Sequence, residues 1–291
     1  MEAALAACRF THYFGAMTVF GASVYIWLFA PEALRSALAA PLRGLLIGAC
    51  VVLVVGAPIW LALLAAGMAD DWSGAWDPGT IRAVLFDTAF GTAWIVHFLL
   101  SLALFAAFAN GGQYRWALRA WLAGLALASL SLTGHASMQA GAVGAVHRAN
   151  DAVHLLCGGG WIGGLIPFLV CLSLSTEPKL RRDATDAMMR FSTTGHFAVA
   201  LLILTGIANV GLTSGALPYP PSTPYRALLL LKILLVAVMV GLAIFNRYVL
   251  VPRLARDASA QTTLRTACLA EVELGAVVVG LVSVFGLLEP F

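Results

Sequence analysis

Three histidines, a methionine and an aspartate fall within about twenty positions of the stretch TGHASMQAGAVGAVHRANDAVHLL. They are His135, Met138, His147, Asp151 and His154. His147, Asp151 and His154 stand at i, i+4 and i+7, one narrow stripe if the segment is helical. Gly158 and Trp161 continue that stripe. Imidazole and carboxylate on one face can hold a metal ion, the carboxylate acting as a ligand or as the acceptor for an imidazole N–H. Imidazole with thioether favours copper, and the methionine selects the Cu(I) state. A closed tetrahedral zinc site would more often use thiolate or carboxylate.

The chain that must position these groups is strongly apolar. Of its 291 residues 61% are hydrophobic and 11% charged, where soluble domains carry about 25% charged residues. Apolar runs of about 20 residues, each bounded by charge, Gly or Pro, mark membrane helices. Eight such spans are predicted, at 5–30, 42–68, 88–109, 116–134, 149–174, 191–212, 226–250 and 266–288. The fold class is therefore all-α, a polytopic membrane bundle of eight transmembrane helices. It forms one membrane domain over 1–291 with no separate soluble domain. Strand alternation is not seen, which argues against a β-barrel.

Twelve of the 17 Lys and Arg residues lie in one set of loops, among them Arg43, Arg115, Arg119, Arg181, Arg182 and Arg253. That set is expected in the cytoplasm, giving an N-out/C-out orientation. Asp77-Pro78 reads as a helix start, Asp as cap and Pro as first helical residue. Trp72 and Trp76 beside it suit the membrane interface. Five scattered cysteines form no CxxC pair, and buried apolar roles are expected for them. The Leu5-Ala6-Ala7-Cys8 box lacks a basic leader, so the first apolar run is read as a retained helix. No basic cluster interleaved with aromatics points to nucleic acid, and no nucleophile–base set or nucleotide loop points to an enzyme.

Ionisable groups inside a bilayer are costly and mark functional positions. His97 lies about ten residues into its span, roughly 15 Å deep at 1.5 Å per residue. His12 lies near the outer end of the first span and His135 at the outer end of the fourth. Only His196 belongs to the inner half. Glu271 and Glu273 enter the eighth span about 200° apart around a helix, so they face different sides. Arg247 or Arg190 is a candidate partner for one of them. Gly159/Gly163 and Gly160/Gly164 are GxxxG pairs that invite close helix packing, placing the histidine stripe toward the bundle core.

Several short motifs resemble the CopD copper-resistance membrane proteins. They are Gly134-His135-Ala136, then Asp151-x-x-His154-Leu155-Leu156 running to Trp161-Ile162-Gly163-Gly164-Leu165. Further along come Phe191-Ser192, Thr205-Gly206-Ile207-x-Asn209, Lys232, Asn246-Arg247, Pro252, and Arg265 with Glu271, Glu273 and Gly275. The resemblance implies copper handling at a bacterial inner membrane, with transport from periplasm to cytoplasm. It also implies a separate periplasmic copper carrier of the CopC type, since a fused CopC-like domain is lacking.

These readings converge on a copper-binding, multi-pass inner-membrane protein. His135, Met138, His147, Asp151 and His154 form the expected outer capture site for Cu(I) or Cu(II), with His12 and His97 nearby or one step deeper. A path past Trp161 toward His196, Glu271 and Glu273 is expected to complete passage. One alternative is a b-type membrane cytochrome in which His97 with His154 or His12 ligates haem. Another is a copper sensor or redox protein without transport.

Overall fold

The computed structural model describes residues 1–110, 115–134, 139–214, 220–253 and 258–289. Among them there are helices and no strands. α1 spans Glu2–Val24 and runs on through a π-helical turn, Tyr25–Phe29. α2 (Glu32–Ala69), α3 (Pro78–Phe86), α4 (Ala89–Ala109) and α5 (Trp116–Ser129) follow. α6 (Gly141–Leu174), α7 (Arg181–Ser214), α8 (Pro224–Phe245) and α9 (Ala258–Phe285) complete the chain. A π turn, Asn246–Leu250, extends α8.

Seven of these helices are long and apolar enough to cross a membrane. The segment expected as the fourth span is the shorter apolar helix Trp116–Leu132. α2, α6 and α7 run well beyond the apolar runs that mark them, at 38, 34 and 34 residues. α6 begins at Gly141, eight residues before the expected start at 149, so His147 is on the helix. α2, at 38 residues, extends about 57 Å at 1.5 Å per residue, well beyond a hydrocarbon core about 30 Å thick.

α1 is the hub, packed against α2, α5, α6 and α9. Two-thirds of its apolar core window is buried, as is that of α6, against 11% for α7 and for α8. The outward faces of α7 and α8 carry Phe197, Leu204, Ile207 and Val238, which suit lipid contact. With lipid as apolar as these side chains, close van der Waals packing must hold the helices together. Glycines supply it between α1 and α6. A Cβ on Gly163 would run into the Met17 carbonyl, and one on Gly21 would meet Gly163 C and Gly164 N at 2.5 Å. The expected GxxxG approach is thus made at Gly159/Gly163, whose partner is α1. Gly164 faces Phe191 of α7 instead.

Arg9 and His12, in the first half of α1, are both buried in the bundle, 7% and 0% exposed. Arg9 donates to the Gly286 carbonyl and lies over the Trp60 ring. Interior aromatic and carbonyl partners replace water for these two groups.

The connection after α2 is ordered by caps. Asp70 closes α2 at φ 51°. A 3-10 turn, Trp72–Ala75, leaves Trp72 and Trp76 exposed, as interfacial tryptophans should be. Asp77 caps α3, accepting from the Thr80 amide at 2.8 Å and hydroxyl at 2.7 Å. The Thr80 hydroxyl and amide hold the Asp77 carboxyl below its ordinary 3.8. A depressed folded-state pKa means the cap is complete above about 3.8 and is lost as pH falls through the lowered value. Asp77→Ala is therefore expected to speed amide exchange at Thr80 at neutral pH. Wild type should show the same exchange only below the carboxylate range, measured by hydrogen exchange between pH 6 and 3.

Candidate metal centres

The most enclosed polar contact joins α1 to α4. His12 and His97, both fully buried, bring their Nε2 atoms within 2.7 Å. The proton arrangement follows from the neighbours. Ser129 Oγ donates to Ala126 O at 2.8 Å and sits 2.8 Å from His97 Nδ1. His97 Nδ1 also faces Ala126 O at 3.1 Å. Two acceptors require that Nδ1 carry the proton, which leaves the His97 Nε2 lone pair toward His12. His12 Nε2–H then donates, and its Nδ1 keeps a lone pair. That Nδ1 is buried with no hydrogen-bond partner among the described residues.

α2 and α4 wall this pocket. α2 supplies Trp60, edge-on to His12 at 5.5 Å between centroids. It also supplies Gly56, where a Cβ would lie 3.0 Å from His12 Nδ1. α4 supplies Trp94, stacked on His97 at 4.9 Å and anchored by Nε1 to Ala57 O at 3.1 Å. Two imidazoles in a buried aromatic cage suit a transition-metal ion such as copper. Holding one between the two Nε2 atoms would part them to about 4 Å, two metal–nitrogen bonds of about 2.0 Å. A haem plane between His12 and His97 does not fit, since the rings touch and Trp60 and Trp94 fill their flanks. His154 faces a different helix from His97, so that pairing does not fit either.

The stripe on α6 is organised differently. His147, Asp151 and His154 lie on one face of α6, as their spacing requires, and that face meets α7. His147 Nδ1 pairs with Gln139 Oε1 at 3.1 Å and its Nε2 lies 3.5 Å from Thr213 Oγ1. Asp151 accepts from Asn209 Nδ2 at 2.9 Å, and Asn209 Oδ1 accepts from Asn150 at 2.7 Å. His154 Nδ1 faces Leu202 O and Thr205 Oγ1, each at 3.1 Å. Each member is thus held by its own α7 partner, and among the described residues no three His, Cys, Asp or Glu side chains gather as a ready metal site. His135 and Met138 lie outside the described residues.

Electrostatic interactions reach from one cluster to the other. Lys232 of α8 interacts electrostatically with Asp151 and His154. Tyr13, beside His12 on α1, interacts with Asp151 and lies 6.1 Å from Trp60. Further along α6, Trp161 meets Glu271 of α9, with Nε1 donating to Oε2 at 3.3 Å. Glu273 is exposed on another face, as the spacing predicts. Glu271 takes neutral donors, Trp161 and Asn246. Arg247 turns instead to Met189 Sδ and Thr193. His196 contacts the Ser192 carbonyl and the Tyr248 hydroxyl.

Sequence reasoning passed over Trp60, Trp94 and Ser129, the residues that shape the histidine pair. It also gave no site role to Lys232, although a lysine six residues inside an apolar span is a signal of its own.

Residues 1–145 match the family described as copper resistance protein D-like, N-terminal domain, and 185–285 match copper resistance protein D. The chain is 36% identical over 289 residues to the inner membrane protein YebZ of Escherichia coli K12, covering 98% of each. The chain belongs to the copper resistance protein D family. Its CopD-family relative in Pseudomonas syringae pv. tomato, copper resistance protein D, is 29% identical, with 98% of this chain and 96% of that one aligned. The copper transport protein CutJ of Bacillus subtilis is 28% identical over 67% of this chain and 37% of its own length. No solved structure matches. With its seven span-length helices, this CopD-family chain is a multi-pass inner-membrane protein.

Proposed function

We propose that this protein binds copper and carries it across the inner membrane from periplasm to cytoplasm. The chain lies N-out/C-out, so the N-terminal part of α6 faces the periplasm. His135, Met138, His147, Asp151 and His154 take up the ion there, and a separate CopC-type carrier delivers it. His12 and His97 receive it one step deeper, and Trp161, Glu271, Glu273 and His196 mark its way inward.

The observation that carries this reading is the His12–His97 contact, 2.7 Å between nitrogens inside a dry aromatic cage, in a chain of a copper-resistance family. A purely structural histidine pair would leave no reason for a His12 Nδ1 without a partner among the described residues, whose burial costs about 1–3 kcal/mol. The hydrogen bonds from α7 orient His147, Asp151 and His154 without closing them round an ion. Such loose sites release what they bind, as conduction requires.

The test is copper content of the purified protein and copper uptake into proteoliposomes. Wild type should bind and take up copper, with no Soret band. His154→Ala should weaken copper binding about 10–100-fold, the range seen for metal-site residues. Unchanged copper content in that variant would sink the outer capture site. A Soret band at one haem per chain would replace copper with haem.

A further inference from the structure

α7 packs along α6 and α8 along α9, but α7 and α8, consecutive in the chain, scarcely meet among the described residues. Between the two pairs lies a cavity of about 1100 Å³, at the top of the roughly 300–1,000 Å³ range of small-molecule sites. Trp161 of α6 and Glu271 of α9 line one side of it. The α7 and α8 walls are largely apolar, with Val199, Ile203, Val240, Ala243 and Ile244. Along α6 the cavity runs from Val153 to Ser175, about 33 Å at 1.5 Å per residue. That is ample for an acyl chain, which spans half of a hydrocarbon core about 30 Å thick.

One end of this cavity is charged. Arg181, at the start of α7, and Arg247, in the π turn after α8, both line it. Neither is matched by a carboxylate among the described residues. Arg247 reaches Met189 Sδ at 3.0 Å and Thr193 Oγ1 at 3.5 Å, and Arg181 Nε donates to Ser175 O at 3.3 Å. Glu271, the carboxylate on the walls, is already taken by Asn246 and Trp161. A guanidinium has five N–H donors, so Arg247 has donors to spare. Thr176, Thr185 and Ser192 add hydroxyls to the walls. An apolar gap that ends in unmatched arginines fits an amphiphile with an anionic head. Guanidinium pairs with phosphate through two parallel hydrogen bonds, and basic pockets between membrane helices bind anionic head groups.

We propose that one anionic phospholipid binds here, its acyl chain lying in the gap between α7 and α8. Its phosphodiester is held by Arg247, with Arg181 as the second positive charge on the cavity wall. An isoprenoid quinone would fill the apolar length but leave both guanidinium groups unmatched. Soluble phosphate would meet Arg247 but leave the apolar length empty. The lipid chain supplies the packing that α7 and α8 do not give each other. It also closes the cavity, with Trp161 and Glu271 on its far side, to the bilayer. The site is independent of the copper reading above, since the lipid binds whether or not copper crosses.

The experiment is native mass spectrometry of the full chain, with the lipid it releases identified. The protein is purified in mild detergent from membranes of phosphatidylethanolamine, phosphatidylglycerol and cardiolipin. Wild type should retain one phosphatidylglycerol or cardiolipin per chain and only traces of phosphatidylethanolamine. Arg247→Gln should lower that retention about 5-fold or more, the worth of one basic residue beside an anionic head group. Gly195→Trp should abolish it. Gly195 lines the cavity and a Cβ there meets nothing within 4 Å, so the indole fills the space without moving the backbone. Arg82→Gln, on α3, should retain lipid as wild type does. Wild type that keeps no lipid, that carries head groups in the bulk proportion, or that holds a quinone instead overturns the site. Undiminished retention in a folded Arg247→Gln protein also overturns it. Should that variant fail to fold, full retention by Gly195→Trp overturns it equally.

Discussion

His97→Gln is expected to abolish copper transfer while the protein keeps its fold. The glutamine amide can donate toward Ser129 Oγ and Ala126 O, as His97 Nδ1 does now at 2.8 and 3.1 Å. Its oxygen can accept from His12 Nε2–H, so no buried donor is orphaned. What is lost is the second imidazole, and an amide oxygen is a poor ligand for a soft ion. Copper uptake into proteoliposomes should fall by about 100-fold, with thermal unfolding in detergent shifted by only a few degrees. His97→Ala should differ, since it orphans His12 Nε2–H at about 1–3 kcal/mol and opens a void beside Trp94. That variant should lose uptake and stability together. Wild-type uptake by a folded His97→Gln protein would remove the buried pair from the path.

Gly163→Ala is expected to cost the fold itself. Its new Cβ would overlap the Met17 carbonyl, lie 2.8 Å from Met17 C and 3.1 Å from Gly21 Cα. These are backbone atoms of α1, so no side chain can rotate away and the two helices must part. Overpacking that a side chain can relieve costs about 1–3 kcal/mol; this substitution should exceed that, reaching the 4–5 kcal/mol range of severe lesions. Native stability is only about 5–15 kcal/mol. Gly158→Ala, on the same helix, is the control: its Cβ would meet Leu202 Cδ1 at an ordinary 3.6 Å, and alanine gains about 1 kcal/mol of helix propensity. Monodisperse yield and thermal midpoint should separate the pair. A Gly163→Ala protein as stable as Gly158→Ala would show that α1 and α6 are not held by this contact. Because α1 carries His12, the damage should also separate His12 from His97 and remove copper binding.

The order of membrane helices was legible from the chain because lipid imposes it. A helix with apolar sides for about 20 residues has few other stable places to go. The ends of those helices were less legible. Residues 141–148 continue α6 because Gln139 reaches His147 and Leu212 O, a tertiary bond that no hydropathy window contains. Trp116–Leu132 sits at the limit of membrane length, so its apolar run and its helix are not the same length.

Within the candidate site, the sequence by itself determined which groups share a face. Helical periodicity requires that His147, Asp151 and His154 line up, that Glu271 and Glu273 diverge, and that Gly159 and Gly163 point one way. Each follows from 3.6 residues per turn. Only the tertiary structure decided what those faces meet. It turned the α6 stripe onto α7, where each member takes a separate partner, and drew His12 and His97 together from 85 residues apart. It also set Asn246 beside Cys268 and Glu271. Local chain geometry fixes direction within a helix, but contact between helices depends on how closely their backbones approach. Between α1 and α6 that approach is set by Gly21 and Gly163, where neither backbone leaves room for a Cβ.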